Sequence, residues 1–168
     1  MPAMTTPQRT AQPGTFFVTT ACYQRRRLFQ VDRNAQLFLE TLEHYRTHFH
    51  LHAFVVMPDH VHLLITPREM VTLERVMQYI KGGFSHRLES KMSAWQKGFA
   101  DHRIRNAEEF AMRVEYMHQN PVKAHLVERA EAYAWSSAAG KLVLDRWPVQ
   151  MGTSAAEAAP TSSLLRHS

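Results

Sequence analysis

The sequence predicts an α+β fold: a ferredoxin-like, or RRM-like, antiparallel sheet in the order β-α-β-β-α-β, extended by one more helix at the C-terminal side. Three observations predict it. Short runs rich in β-branched and aromatic residues recur at 15–20, 52–57 and 60–66, apolar residues at helical spacing fill three other segments, and Pro58-Asp59 joins two of the runs as a two-residue turn. A split β-α-β unit of this order gives a sheet with helices on one face, and the other face is expected to stay open.

The first strand is Thr15-Phe16-Phe17-Val18-Thr19-Thr20, followed by the basic run Arg25-Arg26-Arg27. A helix follows, with Asp32 as N-cap and Leu37, Phe38, Leu42, Tyr45 and Phe49 on one stripe. His52 to Met57 and His60 to Thr66 make a hairpin across Pro58-Asp59. The second helix carries Leu73, Val76, Met77, Ile80, Phe84 and Leu88 on one face and Gln78, Lys81 and Ser85 on another. Gly82-Gly83 weakens the helical propensity there and predicts a close approach to its backbone. Phe99 to Arg105 supplies the fourth strand, with Arg103 and Arg105 on one side. In the last helix Asn106 and Glu109 stand as a capping pair, Phe110, Val114 and Met117 form the apolar stripe, and Pro121 is expected to stop it.

A length of 168 residues suits one domain, expected over residues 15–150 between a flexible N-terminus (1–14) and a flexible C-terminal tail (151–168). Twenty Lys and Arg against fifteen Asp and Glu give a net charge of +5, and the pI is near 9.7. That balance suits a polyanionic partner without separating nucleic acid from an acidic membrane. No segment reaches the length of a membrane span and the first residues lack a signal-peptide core, so no membrane association and a cytoplasmic location are expected. Cys22 is the single cysteine, which excludes an internal disulfide and a cysteine-rich zinc site.

Chemistry concentrates in two places. His60-Val61-His62 puts two imidazoles on one face of a strand, roughly 6.5 to 7 Å apart along the backbone, a spacing that lets both reach one metal ion. Two core histidines bonded to backbone would give the same pattern, so a third ligand and a reacting group are needed to decide. On the last helix, at about 100° per residue, Tyr116 lies about 120° and Asn120 about 80° from Phe110, with Arg113 on the same flank. A tyrosine, an amide and an arginine therefore share a flank beside the core. A half-buried surface tyrosine and a helix-ending asparagine are the plain alternative.

Four segments decide between these readings. Phe16-Phe17-Val18-Thr19, Met57-Pro58-Asp59-His60-Val61-His62, Trp95-Gln96-Lys97-Gly98-Phe99 and Tyr116-Met117-His118-Gln119-Asn120-Pro121-Val122-Lys123 resemble, in order, the REP-associated tyrosine transposases of the single-tyrosine HUH superfamily. The resemblance spans about residues 15 to 140. It implies a single-stranded DNA endonuclease and strand transferase whose tyrosine attacks a phosphodiester, leaving a 5′-phosphotyrosine and a free 3′-hydroxyl.

By position it makes Tyr116 the nucleophile, His60 and His62 the paired metal ligands, and Asn120 the polar ligand, with Gln119 as a weaker candidate. The implied cofactor is Mg2+ or Mn2+, and the imidazoles favour manganese in vitro. The implied partner is single-stranded DNA with a REP-like hairpin, bound by a monomer or a homodimer. Lys81 is expected at the scissile phosphate, and Arg25, Arg26, Arg27, Arg103, Arg105 and Lys123 as phosphate contacts. Trp95 and Phe99 are expected in the core ahead of base stacking, and Asp101 and His102 as polar strand residues ahead of metal support. His118, two residues from Tyr116 on the helix, faces elsewhere and is expected at the surface or in packing ahead of catalysis. The rival readings are a non-catalytic hairpin-binding regulatory module on the same fold and a structural metal site.

Overall fold

A computed structural model describes residues 12–147. In chain order these form strand β1 (Phe16–Ala21), helix α1 (Asp32–His44), strands β2 (Phe49–Met57) and β3 (His60–Pro67), helix α2 (Leu73–Leu88), strand β4 (Ala100–Arg103) and helix α3 (Ala107–Lys123). The sheet order is β2-β3-β1-β4, all neighbours antiparallel. The predicted order and sheet are present. Of the expected tails, residues 1–11 and 148–168 lie outside the described residues, and Gln12 and Pro13 are held by their carbonyls, which accept from Arg103.

Side chains alternate across the sheet and separate two cores. Phe16, Val18, Val61, Leu63 and Ile65 meet α1 and α2 through Phe38, Leu42, Val76, Ile80 and Phe84. Phe17, Ala53, Val55, Met57 and Leu64 meet Met117, with Phe110 and Val114 of α3 packed alongside. The second face is therefore not open, as expected from the element order, but covered by α3. The uninterrupted burial of Leu51 to Met57 and Val61 to Ile65 is the pattern of strands covered on both sides.

Element ends differ from expectation where backbone geometry decides. Val31, not Asp32, is the N-cap of α1, and Phe49 opens β2 after a 3-10 turn at Arg46–His48. Arg105 falls beyond β4. Pro121 lies inside α3 rather than ending it. Near a helix C-terminus the missing N–H costs one bond, and Ala124 N–H to Asn120 O and Leu126 N–H to Pro121 O close the end. The Asn106 side chain caps Glu109 N–H at 2.8 Å, as predicted, while the Glu109 carboxylate accepts from Arg105 N–H.

The predicted close approach at the paired glycines is the Tyr45 ring. A Cβ on Gly83 would sit 2.5 Å from Tyr45 Cε2, whereas one on Gly82 would meet nothing within 4 Å.

Residues 133–147 run past the outer edge of β2, where Val56 N–H donates to Trp135 O and Asp145 N–H to Leu51 O. This covers an edge that would otherwise pair with other chains. A buried polar relay fixes the segment's end, and donor chemistry sets its direction. Trp147 Nε1–H can only donate to Thr15 Oγ1 (2.7 Å), and because His52 must offer its Nδ1–H to a carbonyl, its Nε2 accepts from the Thr66 hydroxyl (2.8 Å), which leaves the Thr15 hydroxyl to donate to Thr66 Oγ1 (2.7 Å). His52 Nδ1–H then donates to the Asp145 carbonyl at 2.9 Å. A proton on His52 Nε2 would break the relay, and burial lowers the pKa of this residue to about 4.

Two predictions follow from these contacts. In thermal unfolding, Gly82→Ala should stabilise by about 0.5–1 kcal/mol through helix propensity. Gly83→Ala should destabilise by about 1–3 kcal/mol because the Tyr45 ring must move. For His52, the folded pKa lies below the unfolded value, so the unfolded chain binds the extra proton between pH about 6.5 and 4. Stability should fall by up to about 3 kcal/mol as pH drops through that window, and His52→Gln should flatten the dependence in urea titrations.

Candidate active site

The site sits where β3, β1 and α3 meet. Antiparallel register pairs Thr19 with His62 and Ala21 with His60, so both imidazoles leave the sheet on the α3 side while Val61 enters the opposite core. The two rings stand 4.8 Å apart at 76°. Each is anchored through Nδ1: His60 Nδ1–H donates to Asp59 Oδ1 at 2.8 Å, and His62 Nδ1 bonds Thr19 Oγ1 at 2.8 Å. That leaves both Nε2 atoms for another partner, the arrangement found in histidines that bind metal.

Electrostatics sets the state of His62. Burial, then the charges of His60, Arg113 and Arg25, push His62 down to about 3, so its ring is neutral at neutral pH. Burial works against the ionised form of Asp59, but the His60 bond and the Arg25 guanidinium outweigh it and hold the carboxyl below its ordinary value. Arg25 Nε donates to Asp59 Oδ2 at 3.1 Å. It does so from a left-handed backbone shared with Gln24, at φ 55° and 54°. The same stretch clamps the turn itself, since Cys22 N–H donates to Asp59 O and Phe29 N–H to Pro58 O, both at 2.9 Å.

Helix α3 brings the third part. Met117 is buried against the sheet, and Tyr116 beside it is 42% exposed. The Tyr116 ring meets His62 edge-on at 5.5 Å and Phe17 at 6.0 Å. Phe17 also stacks on His62 at 5.1 Å and lies beneath the Arg113 guanidinium at 4.6 Å. One phenylalanine therefore holds tyrosine, histidine and arginine in place. One turn beyond Tyr116, Asn120 Oδ1 is buried and accepts no hydrogen bond. An orphaned amide oxygen is costly unless something fills it.

The donor types suit a divalent ion: two imidazoles whose Nδ1 atoms are committed and whose Nε2 atoms are not, and an unpartnered amide oxygen on the neighbouring helix. Among the described residues no cluster of three His, Cys, Asp or Glu that could hold a metal exists. The structure thus joins His60, His62 and Tyr116 in one site and gives Asn120 an unmet acceptor.

The basic residues are placed less uniformly. Arg25 is on Asp59, Arg26 Nη2 donates to Ser93 O, and Arg27 Nε donates to Gln30. The Lys81 ammonium donates to Gln96 O at 3.1 Å and to Gly98 O, and burial lowers its pKa. It tethers the Trp95–Gly98 loop. Trp95 Nε1–H returns a bond to Lys81 O while its ring packs among Phe29, Phe38 and Phe84, and Phe99 joins the same core. Arg103 lies over Phe16 at 4.8 Å, and Arg105 and Lys123 are exposed.

His102 bonds Glu109 of α3 and not the histidine pair, Asp101 is half-buried in β4, and His118 Nε2 bonds Ser137 Oγ at 2.7 Å in a packing role. Sequence reasoning missed Phe17 and Thr19, and took Asp59 only as a turn residue. Asp59 adjoins His60 in sequence, but Phe17 and Thr19 enter only through strand register.

Fold and site together describe an α+β domain in which a helix-borne tyrosine faces a strand-borne histidine pair, the class that contains the tyrosine transposases. The model of the family described as "Transposase IS200 like" matches residues 15–120, and the chain belongs to that family. It is thereby placed among enzymes that act on DNA. A REP-associated tyrosine transposase of Escherichia coli is 32% identical over 90 residues, covering 53% of this chain and 54% of that protein. A Haemophilus influenzae protein assigned to the same group is 28% identical over 143 residues, covering 74% of this chain and 79% of its own length. A solved REP-associated tyrosine transposase, bound to a REP hairpin, superposes with a TM-score of 0.66 at 27% identity, covering 80% of this chain and 82% of that one.

The anchoring bonds make a prediction independent of any metal. Nitrogen-15 NMR should find neutral His60 protonated at Nδ1, and Asp59→Ala should shift it toward the mixed tautomers of a free imidazole. A wild-type His60 protonated at Nε2 would contradict the geometry.

Proposed function

We propose that the chain is a metal-dependent strand transferase that cuts and rejoins single-stranded DNA at REP-like hairpins through Tyr116. The observation that carries this reading is the Tyr116 ring 5.5 Å from His62, beside two imidazoles whose Nδ1 atoms are both committed. The solved relative bound to a REP hairpin supports the substrate class.

His60, His62 and Asn120 would hold Mg2+ or Mn2+, and with two nitrogen donors manganese is the better fit in vitro. Such an ion supplies charge neutralisation for the phosphate and the departing oxygen. Tyr116 Oη, deprotonated, attacks phosphorus: the Oη–P bond forms, the P–O3′ bond breaks, and the 3′-oxygen takes a proton to leave as a hydroxyl. The 5′-phosphate stays on the tyrosine. A second 3′-hydroxyl reverses the step, returning the electron pair to Oη, so the link conserves the energy of the broken bond.

Partial exposure of Tyr116 lets a strand reach it, and Met117 beside it pins the helix to the sheet. Arg113, one turn earlier over Phe17, is placed to meet the phosphate's negative charge. Exposed Arg105 and Lys123, and the exposed Arg27 side chain, are phosphate contacts along the flanking strand.

On a denaturing gel, wild type with Mn2+ and a labelled hairpin oligonucleotide should give a protein–DNA adduct that Tyr116→Phe cannot form. His60→Ala and His62→Ala should reduce cleavage on the order of 100- to 1,000-fold with melting unchanged within a few degrees. Salt-sensitive binding without any adduct would instead identify a regulatory binding module. Unfolding of the histidine variants would identify a structural site.

A further inference from the structure

On the side of the sheet opposite Tyr116, α1 and α2 enclose a cleft of about 440 Å³ lined by His44, Tyr45, Tyr79, Gly82, His86 and Arg87 among others. Its wall is a stack of rings: His48 on Tyr79 at 4.3 Å, Tyr79 on Tyr45 at 5.4 Å and 8°, and the Arg87 guanidinium 5.8 Å from the Tyr45 ring. The rings occupy one another's faces, so they brace the guanidinium rather than offer a free platform for a base. Arg87 Nη1 is buried and makes no hydrogen bond, and no ion pair among the described residues includes Arg87. The Arg87 side chain is only half-buried and lines the cleft, so a turn of its guanidinium brings the unpaired N–H to an acceptor oxygen entering there.

Several features set the sign and size of the occupant. None of the residues lining this cleft is a carboxylate, while the neighbouring hollow on the other side of Arg87 carries Glu40 and Glu89. An anion is therefore drawn to the Gly82 side. Gly82 leaves the floor open, since a Cβ there would meet nothing within 4 Å. Two further imidazoles, His44 and His86, stand at the rim, both exposed.

We infer that this cleft is a second DNA contact, in which Arg87 donates to a backbone phosphate of the single strand flanking the hairpin. The site rests on the proposed handling of DNA at Tyr116, but lies in the other layer. It would hold the strand leaving one face of the protein against the helices of the other. Because a phosphate fixes position and not sequence, the contact is expected to be indifferent to base identity.

The test is fluorescence anisotropy of a labelled hairpin oligonucleotide with single-stranded flanks of increasing length, across a salt series. With long flanks, Arg87→Met should weaken binding about tenfold and reduce the slope of log K against log salt by about 0.7, as loss of one single-strand phosphate contact requires. Without flanks it should bind as wild type does. Gly82→Leu, which fills the floor and leaves Arg87 in place, should reproduce the loss, and it decides the matter if Arg87→Met lowers the melting temperature. Wild-type affinity and salt slope in a folded Gly82→Leu protein would overturn the proposal. So would a loss confined to binding of inorganic phosphate, which would make the cleft a site for a free anion. Failure of wild type itself to bind the oligonucleotide would instead remove the reading at Tyr116.

Discussion

The pairing register of β1 with β3 is the constraint on which the site depends. With Thr19 opposite His62, the two histidines emerge toward α3 while Val61, Leu63 and Ile65 fill the core beneath α1 and α2. A slip of one residue would exchange the faces, burying both imidazoles among the phenylalanines beneath α1 and α2 and taking three aliphatic side chains out of that core. The hydrophobic cost of that exchange locks the register. The chemistry of the site is therefore fixed by the packing of residues that take no part in it.

Each layer then adds one restraint. The turn at Pro58-Asp59 is clamped by Cys22 and Phe29, and its aspartate is steadied by Arg25, so His60 is oriented from the sheet's end. Thr19 orients His62 from the neighbouring strand. Phe17, on the same face, touches His62, Tyr116 and Arg113 and joins strand to helix. Tyr116 stays reachable because Met117 and Pro121 take the buried stripe of α3. Burial of the apolar face and exposure of the tyrosine are two results of one helical phase.

Much of this was legible in the sequence because periodicity carries it. The strand order, the helix stripes, the histidine pair and the flank shared by Tyr116 and Asn120 come from spacings within single segments. What stayed hidden depends on contacts between segments. Thr19 and Phe17 gain their roles only from register, and the partner of the Gly82-Gly83 break was not readable until Tyr45 was placed beside it. The partners of the basic residues were hidden for a related reason: a run of three arginines reads as one charged patch, but each finds a different partner on folding. Lys81, expected at a phosphate, also donates to two carbonyls of a loop 15 to 17 residues further along the chain. The second core is foreshadowed by Ala53 to Met57 and Leu63 to Ile65, where apolar residues fall on both faces of the strand and an open face would have placed polar residues at alternate positions.

The central proposal is that strand register and the bonds at Nδ1 would aim both histidines, through Nε2, at a single ion beside Tyr116. Electron spin echo measurements on the protein loaded with Mn2+ and bound to hairpin DNA test it most directly, with histidine nitrogen-15 labelled. Two imidazole couplings are expected, one lost in each of His60→Ala and His62→Ala. An ion that shows no histidine nitrogen coupling, or one that keeps both couplings in either variant, would contradict the account.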